Sequence, residues 1–270
     1  MRTGTRRSSG SRRARAPRSC ESAHNGGVST RNDAIDTFAL APGRVIGGKY
    51  VVQSLLGSGW EGEVYRVLEQ RSRATRAAKL FFPHRNERDR ALDFYARKLE
   101  QLRDCPLVIK YHHTETIRFR KAPVTVLISE YVEGELLENL IRNSRGKRLP
   151  QFEALRILYE IVSGLEQIHA KRDYHGDLHD RNVLIRRRGV HFDVKVVDLF
   201  NLGRPTALNI REDVVDCVRL LYDMLGGQKR YAEHPPEIKR IICGLKRSMI
   251  MKRFPTARQL REHLDRFEWS

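Results

Sequence analysis

The string His175-Gly176-Asp177-Leu178-His179-Asp180-Arg181-Asn182 constrains the fold more than any other part of the chain. It is polar, and it follows a segment, Phe152 to Ala170, whose apolar residues recur with helical spacing. The β-branched run Val183-Leu184-Ile185 comes directly after it. One loop between a helix and a strand therefore presents a carboxylate and an amide five residues apart. That pairing suits phosphoryl transfer: an Asp can accept a proton from an attacking hydroxyl, and an Asn amide oxygen can ligate magnesium.

Three further parts surround this loop in a fixed order. Upstream, Gly57-Ser58-Gly59-Trp60-Glu61-Gly62-Glu63-Val64 fits G-x-G-x-x-G-x-V between the strand-like runs Tyr50-Val51-Val52 and Val64-Tyr65-Arg66-Val67. Glycines there let a backbone approach phosphates with no Cβ in the way. A dinucleotide fingerprint would open a helix at its third Gly, whereas the residues after Gly62 alternate as a strand does. An ordinary Gly-rich hairpin is the competing reading. Next, Lys79 lies inside Ala77-Ala78-Lys79-Leu80-Phe81. An ammonium in an apolar run needs an anionic partner, such as the phosphates of ATP, or a path to water. Downstream, Val194-Lys195-Val196-Val197-Asp198 is a β-run ending in an Asp, placed where a second metal ligand would be needed. An Asp at a strand end also serves as a plain turn residue.

Taken together, these residues resemble the protein-kinase superfamily over roughly Val45 to Phe267, and in particular bacterial-type serine/threonine protein kinases. The resemblance implies an α+β, bilobal fold with a small β-rich N-lobe, about 43–132, and a larger, mainly α-helical C-lobe, about 133–270. It implies an ATP-dependent phosphotransferase that uses ATP and Mg2+ and acts on a protein substrate. Asp177, Lys79 and His179 would be catalytic. Gly57, Gly59, Gly62, Val64, Lys79, Glu130 and Val132 would bind ATP, and Asn182 and Asp198 would hold the metal. Ser129 would be the gatekeeper beside the adenine, and Glu135 would reach the ribose. Asp213 would brace the catalytic loop from a helix below it. Arg253-Phe254-Pro255-Thr256-Ala257 resembles the R-P-T-A that precedes the last helix of serine/threonine protein kinases.

The departures from that pattern keep two other readings open. Phe200 replaces a Gly, Gly176 replaces an Arg that reads an activation-loop phosphate, and His179 stands where a Lys is usual. Only fifteen residues separate Asp198 from Asp213, so the activation segment is expected to shrink to about Phe200–Glu212. Arg253 then needs Glu212 or Asp216 as a partner. The His175-to-His179 spelling also resembles antibiotic and other small-molecule kinases, which makes a small-molecule kinase one alternative. The other is a nucleotide-binding pseudokinase. It draws on the helix expected near 88–103, where the acid that should pair with Lys79 falls at Tyr95 or Ala96. Glu87, Asp93 and Glu100 are the substitutes on offer, Glu100 being the preferred one of the three because it sits one turn from Tyr95/Ala96, although a plain surface acid is the favoured reading of it.

Composition sets the remaining bounds. The chain has 270 residues, 40% hydrophobic content and a mean hydropathy of -0.55, with no apolar run long enough to span a membrane. The net charge is +18, of which Met1 to Arg31 supplies about seven. Residues 1–42 read as a basic, disordered tail, because so little apolar surface cannot offset the entropy of ordering. Three origins are consistent with it: an upstream extension from a misassigned start, a tail that binds anionic partners, or a transit-type leader. Nucleic acid would be a partner only through this tail. The four cysteines show neither paired nor metal-binding spacing and point to a reducing, cytoplasmic setting.

Overall fold

The computed structural model describes residues 35–199 and 203–268. The β-rich half is one antiparallel six-stranded sheet. Its strands are β1 (Val45–Ile46), β2 (Tyr50–Ser58), β3 (Gly62–Glu69), β4 (Thr75–Phe81), β5 (Tyr111–Phe119) and β6 (Ala122–Glu130), in the spatial order β1-β2-β3-β4-β6-β5. Alternation builds it: Val52, Tyr65, Val67, Ala78, Leu80, Val126 and Ile128 face one core, and polar neighbours face out. Lys79 sits mid-sheet, opposite Val64 on β3 and Leu127 on β6. The turn between β2 and β3 is the Gly-rich segment. Gly62 is obligatory there, since a Cβ would lie 1.9 Å from the Leu80 carbonyl oxygen.

Helix α1 (Arg90–Gln101) lies between β4 and β5. Its buried side chains Leu92, Tyr95 and Leu99 join the core of the helical half rather than that of the sheet. The helical half holds α2 (Leu137–Asn143), α3 (Gln151–Ala170), α4 (Ala207–Met224), α5 (Pro236–Ile242), α6 (Arg247–Arg253) and α7 (Ala257–Asp265). A small sheet of β7 (Glu135–Leu136), β8 (Val183–Arg188) and β9 (His191–Val196) faces it. Helix α3 packs on α4, α7 and β9 through Ile157, Leu158, Ile161, Leu165 and Ile168, each fully buried. Capping is explicit at two starts. Thr206 and Asn209 form a reciprocal capping box on α4, and Thr256 accepts from the Gln259 amide on α7. The Pro255-Thr256-Ala257 sequence is thus a helix start.

The expected tail boundary near residue 42 needs correction. Ile35, Phe38 and Leu40 are buried in the sheet's core, and Phe38 stacks on Phe82 with ring centroids 5.3 Å apart. The buried Glu63 carboxylate holds this strap, accepting from Thr37 Oγ1 at 2.8 Å, from the Phe38 amide at 3.2 Å and from Tyr65 Oη. Burial and the Glu63 carboxylate push the Tyr65 phenol up to about 12. The folded part therefore takes in residues 35–42, whose three large apolar side chains all find core positions. The rest of the tail, with Cys20, lies outside the described residues.

Candidate functional site

Asp213, near the start of α4, has no exposed surface and fixes the polar loop by its backbone. One carboxylate oxygen accepts from the Gly176 amide at 2.8 Å, and the other from the His175 amide at 2.8 Å and from His169 Nε2 at 2.9 Å. His175 is fully buried and its ring completes the brace. Nδ1 accepts from the Asp177 amide at 3.3 Å, so Nε2 carries the hydrogen and donates to the Val197 carbonyl at 3.2 Å. Burial lowers the His175 pKa, against the pull of Asp213, and keeps the ring neutral. His175 links residues 177 and 197 and carries no exposed proton.

With the loop held, its Asp177 side chain points outward. The Asp177 carboxylate is 74% exposed, with His179 Nε2 3.5 Å away. Asn182 is buried, and its Nδ2 donates to the Asp177 carbonyl at 2.9 Å, which leaves Oδ1 as the outward acceptor. Asn182 precedes β8 and Asp198 follows β9. The Val183–Val196 pairing and the bond from the Val197 amide to the Asn182 carbonyl, 3.0 Å, bring both to one end of that sheet. Asp198 takes a left-handed conformation, φ 57°, which Asp tolerates better than most residues. Strained backbone of this kind gathers at functional sites.

Lys79 reaches this place from the other half of the molecule. Its Nζ lies 3.2 Å from Asp198 Oδ1 and 2.9 Å from Glu61 Oε2. Burial opposes the charge on Lys79, but Asp198, Tyr95 and Glu61 outweigh it and raise the pKa. Burial also raises the Glu61 carboxyl, against the attraction of Lys79. Glu100 is a surface acid, as the sequence reading favoured, and not the partner of Lys79: it is exposed and pairs with Arg103 at 2.9 Å. Asp93 is exposed as well, 3.8 Å from Arg97. The position facing Lys79 belongs to Tyr95, whose ring centroid lies 5.1 Å from Nζ and whose hydroxyl accepts from the Asp198 amide at 3.3 Å. Glu61 escaped the sequence reading because the search for an acid was confined to α1. The available signal was an acid within the Gly-rich turn itself.

The other expected nucleotide contacts line the two sheets. Gly57, opposite Val64, and Gly59, whose amide donates to the Gly62 carbonyl at 2.9 Å, form the turn over the Lys79 edge. Glu130 ends β6. Its amide donates to the Lys110 carbonyl at 2.8 Å, and its carboxylate accepts from Lys195 Nζ at 3.1 Å. Ser129 is buried beside it, and Val132 packs on the helical core. At Gly134, φ 153°, a Cβ would meet the Ile185 carbonyl oxygen at 2.4 Å, so the connection between the halves must pass close to β8. Glu212 pairs with Arg247 rather than with Arg253, whose guanidinium lies over Phe254. Phe200 lies outside the described residues.

Residues 50–259 match the model of the protein kinase domain. The chain belongs to the protein kinase domain family. Similar curated proteins include CBL-interacting protein kinase 30 of Oryza sativa subsp. japonica, 29% identical over 159 residues. That match covers 57% of this chain and 31% of the relative. Human serine/threonine-protein kinase Nek11 is 29% identical over 161 residues, covering 57% of this chain and 24% of the relative. The chain thus spans less than a third of each. Among solved structures, a cysteine-to-alanine variant of the Mycobacterium tuberculosis PknI kinase domain aligns with TM-score 0.62 and 20% identity. The alignment covers 84% of this chain and 98% of that one. The likeness shows the fold, a β-sheet N-lobe on a helical C-lobe. Among the described residues no helix is long and apolar enough to cross a membrane.

Proposed function

We propose that this kinase-fold chain transfers the γ-phosphoryl group of ATP to a serine or threonine hydroxyl of a protein. The observation that supports it most is the meeting of Lys79, from the N-lobe sheet, with Asp198 of the C-lobe at 3.2 Å, next to a loop whose Asp177 is open to solvent. In this reading the Gly57–Gly62 turn covers the phosphates, Lys79 orients them, and the backbone at Glu130 and Val132 receives the adenine. Asp177 orients the acceptor hydroxyl and takes its proton. His179, beside Asp177, adds a donor toward the transferring phosphate. Asn182 Oδ1 and the Asp198 carboxylate are hard oxygen donors that suit Mg2+, and the Asn182 amide is already oriented for it. The metal supplies charge neutralisation on the phosphate oxygens. The protein's own contribution is positioning and a fixed electrostatic field.

A second reading has one observation in its favour. Helix α4 begins at Ala207, only nine residues after Asp198, which leaves little chain to build a platform for a peptide. A small hydroxyl-bearing acceptor would need no such platform. The test is Mg2+-dependent ATP turnover by the full chain, offered a protein panel and a panel of small hydroxyl-bearing acceptors, with products identified by mass spectrometry. Phosphate on Ser or Thr that Asp198→Ala abolishes supports the protein-kinase reading. Phosphate only on a small acceptor selects the second reading. Asp177→Asn should cut turnover while ATP binding survives. Bound nucleotide with no turnover on any acceptor would make the chain a pseudokinase.

A further inference from the structure

Three features of Glu61 bear on how the site is held together. It faces Lys79 at 2.9 Å, and both side chains are nearly enclosed, 13% and 12% exposed, whereas the Asp198 side chain is 51% exposed. Its backbone is anchored, with the Phe82 amide donating to the Glu61 carbonyl at 2.8 Å and Gly62 pressed against Leu80. Only the turn before it, Gly57 to Trp60, extends past that anchor. Finally, α1 sets an aromatic ring, not an acid, against the lysine, and its acids Asp93 and Glu100 are spent on Arg97 of the same helix and Arg103 just beyond it.

We infer that Glu61 is the positioning partner of Lys79, so that the anchored base of the Gly-rich turn, and not α1, sets the lysine for its phosphate contacts. The inference rests on the phosphotransferase reading and deepens it. An acid borne on a helix would make the lysine's position depend on that helix. An acid borne on the turn makes it depend on the same segment that covers the phosphates. Glu61 also solves a conflict of charge. Asp198 cannot spend its carboxylate fully on both Lys79 and a metal ion, and a second, enclosed carboxylate keeps the ammonium in place when Asp198 turns to the cation. The opposite assignment is also physical: a carboxylate at Lys79 could compete with phosphate for the ammonium. The two assignments predict opposite signs.

The test uses the full chain and the variants Glu61→Gln, Glu61→Ala, Glu61→Ala with Tyr95→Glu, and Glu100→Gln, each checked for an unchanged thermal midpoint. A positioning role predicts that Glu61→Gln lowers kcat about 10- to 100-fold with a smaller change in KM for ATP. The added Tyr95→Glu, which returns an acid to α1 opposite Lys79, should recover much of the loss seen in Glu61→Ala. Glu100→Gln should behave as the parent. A second readout needs no turnover. Acetylation of Lys79 by acetic anhydride in the nucleotide-free chain, followed by mass spectrometry, should speed up several-fold in Glu61→Gln, because an amine that loses an anionic partner deprotonates more readily. Unchanged kcat and acetylation in Glu61→Gln would overturn the inference, as would tighter ATP binding with undiminished kcat, the signature of a competitor. If the parent turns over no acceptor, the phosphotransfer reading falls, and the acetylation rate alone supports or overturns the Glu61–Lys79 pairing.

Discussion

Lys98 offers a sharp test of how the two halves are joined. It lies on the inner face of α1 with its side chain 2% exposed, and its Nζ donates to the Tyr174 carbonyl at 2.7 Å and pairs with Asp173 Oδ1 at 3.0 Å. Both partners belong to the segment that runs into the polar loop from His175 to Asn182. Lys98→Met keeps most of the stem, but removes the ammonium that lies over the Tyr174 ring and strands the Asp173 carboxylate in a site only 12% open to water. Removing one partner of a buried pair costs about 3–5 kcal/mol. Asp173 Oδ1 still accepts from the Tyr174 amide at 2.8 Å, which places the expected loss near the low end, about 3 kcal/mol. For a domain of this size that corresponds to a fall in Tm of roughly 6–12 °C.

Urea denaturation at pH 7, followed by circular dichroism, would measure the loss. A second substitution isolates the pair. Asp173→Asn in the Lys98→Met background removes the stranded charge, so the double variant should be more stable than the sum of the single losses predicts, by about 1–3 kcal/mol. Lys171→Ala is the control, because its bond to the Gln101 carbonyl, 2.8 Å, ties the same two segments at the surface and should matter by no more than about 0.5 kcal/mol. A loss below about 1 kcal/mol in Lys98→Met, or strict additivity with Asp173→Asn, would refute the claim that a buried ion pair fastens α1 to the C-lobe.

Asp213→Asn should cost about 2–3 kcal/mol in the same denaturation assay, since an amide nitrogen would replace an oxygen that now accepts from backbone amides at 2.8 Å. Faster hydrogen exchange at the His175 and Gly176 amides would locate the damage. Gly62→Ala should destabilise by about 3 kcal/mol, because β3 must move off the Leu80 carbonyl oxygen, and an unchanged urea midpoint would contradict the register of β3 on β4. Asp216 gives a pH signature. Burial, then the neighbouring Asp213, raises its pKa from 3.8 to about 6, so the folded chain binds a proton there that the unfolded chain releases. Its contribution to stability is present below about pH 4 and is lost as pH rises through 6. Asp216→Asn should therefore match the parent at pH 4 and exceed it at pH 7 by about 1 kcal/mol after allowance for solvent screening.

How much of this was legible in the sequence depended on how local the signal was. The Gly-rich turn, the strand of Lys79, the polar loop and the strand ending at Asp198 could each be recognised from a few consecutive residues, and the order of strands and helices followed from periodicity. The strap from Ile35 to Leu40 could not. Its three core residues are diluted among small and polar ones, and the glutamate that holds it lies on a strand some 25 residues away, where an acid between apolar neighbours reads as a solvent-facing position. The partner of Lys79 was missed for a related reason. Counting along α1 reached Tyr95, which does face the lysine, but counting cannot show that a residue on a separate segment fills the same space. The brace at Asp213 was legible only through the resemblance to a kinase helix that carries such an Asp, and its bonds to His175 and Gly176 gave that position a physical purpose.

Two tasks that one helix might perform are divided here between two segments. In the proposed reading, orientation of Lys79 falls to Glu61, at the anchored end of the Gly-rich turn, while α1 is committed to the C-lobe. Its apolar face is continuous with the C-lobe core, its Lys98 is fastened to Asp173, and its Tyr95 hydroxyl accepts from the Asp198 amide. A helix held at those three points is a poor lever, since swinging it out would expose Leu92, Tyr95 and Leu99 and strand two charges at once. The eight residues between Asp198 and Ala207 also leave little chain through which a phosphorylated segment could pull on it. The physical consequence is that Lys79, Asp198 and Tyr95 are brought together by folding itself.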